Sequence, residues 1–143
     1  MKCFVVLIII ILSVCSCAQP QTLIQSTEAE IEGKNVLYQI DIYVQAADYM
    51  SDLFQKFSEG YIEADPALKK VMVLHHEYNK LAKPVPVEVK GLYRLMNKLL
   101  SNIEEYFIYF KKANRENPEI NIKISEVRYE IYKELVKLRY EYM

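Results

Sequence analysis

The chain has 143 residues, 52% of them hydrophobic, and a formal net charge of −1. That is enough for one domain with a buried core, and the near-neutral balance argues against a nucleic-acid surface, which needs clustered Lys and Arg. Three Gly and five Pro encode few turns, which favours long helices over many short strands.

In chain order, the first segment is residues 1–17, MKCFVVLIIIILSVCSC, with one early Lys and an apolar run from Cys3 to Leu12. Such a run matches a signal-peptide h-region and is too short for the ~20 residues that span a bilayer. Val14-Cys15-Ser16-Cys17 follows, and this segment resembles the lipobox of bacterial lipoproteins. The resemblance implies cleavage after Ser16, acylation of Cys17 and a place in the cell envelope, anchored to a membrane. A thioether-linked diacyl group on Cys17 would meet the two-chain requirement for stable anchoring. The register ending at Cys15 puts a bulky Val at the cleavage site and is less apt. Ordinary secretion, with cleavage after Ala18 and a mature start at Gln19, is the alternative. All three Cys lie at positions 3, 15 and 17, so an exported domain would depend on its core without disulfides.

Residues 18–33 are polar and mixed and read as a tether, with a short helical turn starting at Ser26 or Thr27 as a variant. Residues 34–143 read as the folded domain. Its first helix is expected from Lys34 to Ser58. Val36, Ile40, Tyr43, Ala47, Met50, Phe54 and Phe57 step by four and three and mark the core face. Gly60 suits the residue just past the helix end. Asp65-Pro66 reads as a cap and first helical residue, and Leu68, Val71, Leu74, Tyr78 and Leu81 point inward before the stiff crossover Pro84-Val85-Pro86.

The third helix, Val89 to Phe110, carries the strongest pattern. Val89, Leu92, Met96, Leu99, Ile103, Tyr106 and Phe110 share one face, and Tyr93, Leu95, Leu100 and Phe107 widen it to roughly 160° against the ~100° of a one-sided helix. It is expected to be the most buried helix. The last helix starts at Pro118 or, alternatively, at Ser125, and keeps Ile120, Ile124, Val127, Ile131, Leu135, Leu138 and Tyr142 on one stripe. The fold expected is all-α, a small up-down bundle of three to four helices.

No catalytic constellation, cofactor motif or metal motif is present. His75-His76-Glu77 is the sole metal-like cluster, but adjacent histidines diverge by about 100° on a helix, and Lys80 stands where a zinc-protease motif needs its second His. The pair is expected at the surface, and the protein is not expected to be an enzyme. Twelve tyrosines are the unusual feature. Tyr38, Ile42, Tyr49 and Leu53 on the first helix, and Ile122, Tyr129, Val136 and Tyr140 on the last, fall away from the stripes chosen as core. Two apolar faces on one helix mean burial on both sides or an exposed patch. Tyr38, Ile42, Tyr49, Tyr129, Val136 and Tyr140 are therefore expected to form an interface, for a protein partner or a homodimer. The alternative function is a secreted carrier whose Phe54, Phe57, Tyr106, Phe107 and Phe110 line a pocket for a small apolar molecule.

Overall fold

The computed structural model describes residues 36–142, which form four helices and, among the described residues, no strand. The helices are α1 (Val36–Ser58), α2 (Ala64–Ala82), α3 (Lys90–Ala113) and α4 (Pro118–Tyr142), with a 3-10 turn at Val87–Val89 leading into α3. This is the all-α bundle that the periodicity predicts. The stretches expected to be a signal segment and a tether, Cys17 included, lie outside the described residues.

Local chemistry fixes the helix ends. Gly60 has φ 78°, and the Gly60 and Tyr61 amides donate to Phe57 and Lys56 carbonyls at 3.1 and 2.8 Å. This is the Schellman arrangement, in which a left-handed residue lets the chain turn back on its last free carbonyls. Asn114, at φ 49°, ends α3 in the same left-handed region, its amide donating to Phe110. Asn117 Oδ1 accepts the Glu119 amide at 3.0 Å, so Pro118 is the first residue of α4 and the start at Ser125 is not taken.

The start of α2 departs from expectation. Ala64 opens the helix, and Asp65 lies inside the first turn. There its carboxylate favours the positive helix end and pairs with Lys69 at 2.9 Å and with Lys111 of α3. Its place inside the helix, after the cap position at Glu63, gives it no capping role.

Successive helices pack as an up-down series, α1 on α2, α2 on α3 and α3 on α4, while α1 and α4 touch only sparsely. The centre is α3, as its wide apolar face requires. Val89, Leu92, Met96, Leu99, Leu100, Ile103, Tyr106 and Phe107 are all buried. Burial of large side chains of this kind contributes about 1.5–3 kcal/mol each. At one end, rings of α1 and α3 interlock: Phe54 and Phe107 centroids are 5.3 Å apart, Phe57 and Phe107 5.1 Å, and Phe57 and Phe110 4.9 Å.

The core face of α1 is not the one the spacing suggests. Tyr38, Ile42, Ala46, Met50 and Leu53 are buried, whereas Ile40, Tyr43, Ala47 and Phe54 are half-buried. The Tyr38 hydroxyl donates to the Leu81 carbonyl at 3.5 Å and Gln39 Nε2 to the Ala82 carbonyl at 2.9 Å. These bonds turn the Tyr38 flank toward the C-terminal end of α2, whose last carbonyls have no partner within their own helix.

Candidate functional site

The second apolar face of α1 and the facing flank of α4 do not close on each other. Between them, floored by α3, lies a cleft of about 540 Å³. Tyr43, Ala47, Met50, Ser51 and Phe54 line it from α1, Leu99, Ile103 and Tyr106 from α3, and Asn121, Ile124, Ser125, Arg128, Tyr132 and Leu135 from α4. Each wall follows from helix periodicity. Tyr43, Ala47 and Phe54 on α1, and Asn121, Ser125, Arg128, Tyr132 and Leu135 on α4, step by three, four or seven and so share a flank.

The cleft carries polar groups at two places on an otherwise mainly apolar lining. At one end Glu116, in the α3–α4 connection, receives a hydrogen bond from the Tyr106 hydroxyl at 3.3 Å and another from Asn121 Nδ2 at 3.1 Å. Burial first, then the adjacent Glu116 charge and its hydrogen bond, push the Tyr106 phenol up to about 12. Further along, Arg128 is the single cation among the lining residues. Burial raises the Tyr43 phenol above its ordinary value, and the charge of Arg128 opposes that rise. Met50, Phe54, Leu99, Ile103 and Ile124 supply apolar surface to the same cleft.

Residues singled out from sequence divide among several places. Tyr38 and Ile42 lie in the core at 2% and 0% exposure, and Tyr49 is half-buried. They form no surface seam, because α2 covers that flank of α1. Tyr129, Val136 and Tyr140 do face solvent, at 62%, 36% and 89% exposure, with Lys133 Nζ lying 5.0 Å from the Tyr129 ring centroid. The six residues therefore do not combine into one patch. Of the five aromatics proposed for a pocket, Phe54 and Tyr106 line the cleft, and Phe57, Phe107 and Phe110 are taken up by the interlocked rings. The polar residues Glu116, Asn121, Ser125 and Arg128 were not read as a set. The shared flank of the three on α4 was the available signal.

The histidines also part company. His76 is exposed, but His75 is held between α2 and α3, Nδ1 2.7 Å from Glu104 Oε1 and Nε2 2.9 Å from Asn97 Oδ1. His75 is thus a cross-helix clasp, contrary to the surface pair expected, because its flank of α2 faces α3. Among the described residues no group of three His, Cys, Asp or Glu is placed to share a metal ion, and no helix is long and apolar enough to cross a membrane. Comparison with protein-family models, with curated proteins and with solved structures finds no match.

Proposed function

We propose that this protein is a non-enzymatic binding module of the cell envelope, held at the membrane by a lipid on Cys17, and that it binds in the α1/α4 cleft. The open seam carries the reading. A four-helix bundle ordinarily closes its first helix on its last, and here a mainly apolar flank of α1 faces a mixed flank of α4 across about 540 Å³. That volume falls in the ~300–1,000 Å³ range of small-molecule sites, which are mostly apolar with a few placed polar groups. Between a protein partner and a small apolar molecule, the cleft favours the small molecule.

The test uses the neutral dye N-phenyl-1-naphthylamine, whose emission rises in apolar surroundings. The purified protein should bind it, and Ala47→Phe and Ser51→Trp, made separately to fill the cleft, should each abolish binding without loss of helix content. Unchanged dye binding in both variants would contradict the reading. Intact mass of the mature protein tests the anchor: a diacylglyceryl mass on a chain starting at Cys17 supports it, and a lipid-free chain starting at Gln19 replaces it with a secreted carrier.

One observation favours a second reading, self-association. The outer face of α4 exposes Ile122, Tyr129 and Tyr140 at 57%, 62% and 89%, and tyrosine suits interfaces because its ring is apolar and its hydroxyl polar. Replacing Tyr129, Val136 and Tyr140 with Ser should lower the sedimentation coefficient if this face joins two copies; an unchanged coefficient rejects it.

A further inference from the structure

We propose that the cleft takes a soluble anionic amphiphile, its carboxylate or similar head at Arg128 and its apolar tail over Met50, Phe54 and Ile103. This names the ligand class for the site and rests on the binding role proposed above. Charge complementarity carries the inference. Arg128 has no ion-pair or hydrogen-bond partner among the described residues, although the chain carries exposed carboxylates throughout. Glu116, the single carboxylate lining the cleft, is already engaged by Tyr106 and Asn121.

Position sets the direction of the ligand. Seven residues separate Asn121, which holds Glu116, from Arg128, about 10 Å of helix axis. An anion is therefore repelled at the Glu116 end and attracted at the Arg128 end, and its tail is left to the apolar part of the same lining. Guanidinium offers several N–H donors in a planar fork that matches a carboxylate. The net charge of −1 gives no overall attraction for anions, so the preference is local to this side chain.

The test measures displacement of N-phenyl-1-naphthylamine by decanoate and, separately, by decanol, both below their aggregation concentrations. Wild-type protein, Arg128→Met and Ser51→Trp are compared; Arg128 is exposed, so its replacement leaves the core untouched. Decanoate should displace the dye at lower concentration than decanol. Arg128→Met should weaken decanoate roughly ten- to hundred-fold, the worth of a hydrogen bond to a charged group, and leave decanol unchanged. Ser51→Trp should weaken both. Equal potency of the two compounds, with no response to Arg128→Met, would overturn the anionic class and leave the cleft as a binding site. Dye that binds Ser51→Trp as well as wild type, and that neither compound displaces, would overturn the cleft reading itself.

Discussion

Gln39 Nε2 on α1 donates to the Ala82 carbonyl at the end of α2, 2.9 Å away and out of contact with solvent. Gln39 is 1% exposed in a helix otherwise buried through apolar side chains. The bond satisfies a helix-end carbonyl that α2 cannot satisfy itself, and it sets which flank of α1 meets α2. Everything on the opposite flank, the cleft wall included, follows from that rotation.

Gln39→Leu keeps the bulk and removes the donor, leaving the Ala82 carbonyl buried without a partner. The cost of such an orphan is about 1–3 kcal/mol. Urea unfolding should show a lower midpoint with an unchanged slope.

Alkaline stability should carry the signature of Tyr106. Its folded value is raised from 10.0 to about 12, chiefly by burial, then by Glu116. A raised value means the folded state holds the proton more tightly than the unfolded one. The associated stability is therefore complete below about pH 10 and is lost as pH rises through about 12. Tyr78 and Tyr43 are shifted in the same direction, again mainly by burial, so the loss is shared. Tyr106→Phe should remove part of it, making the decline in thermal midpoint between pH 10 and 12 shallower. Phenolate absorbance followed against pH should show a correspondingly smaller late-titrating fraction.

Gly91→Ala should raise stability. An added Cβ would meet Glu134 Oε1 at 2.7 Å, the far end of a flexible side chain that can swing away. Gly91 sits in the first turn of α3 with no left-handed φ to require it. Replacing glycine in a helix gains about 0.5–1 kcal/mol, worth a rise of several degrees in thermal midpoint for a domain of this size.

Asn102→Leu should also stabilise. The Asn102 amide nitrogen is buried without a hydrogen-bond partner, and leucine has the same number of side-chain heavy atoms with no polar group to desolvate. Removing an unpaired buried polar group is expected to gain about 1 kcal/mol or more. A lower urea midpoint would show that Asn102 has a role beyond packing.

The legibility of this fold varied with how many neighbours each helix has. The three-and-four spacing from Val89 to Tyr106 named the buried face of α3 correctly, since a helix packed on several sides leaves little choice of face. On α1 both apolar flanks were visible in the sequence, but periodicity reports faces and not partners. The choice between the Ile42 and the Ala47 flank depended on Gln39 and Tyr38 reaching the end of α2, contacts 43 residues apart in the chain. On α4, Ile120, Val127, Ile131 and Leu138 are buried as read, while Ile124 and Leu135 are only half-buried because they stand at the cleft. The cleft has no sequence signature of its own. It arises from the distance between two helices, which no local spacing encodes.

The most direct test of the central claim is backbone amide chemical-shift mapping of the labelled protein during titration with N-phenyl-1-naphthylamine. The account predicts saturable shifts concentrated at Ala47, Ser51, Ile103, Ser125 and Arg128, which lie on three different helices and meet only at the cleft. Shifts confined to Tyr129, Val136 and Tyr140, with those five amides unmoved, would contradict it.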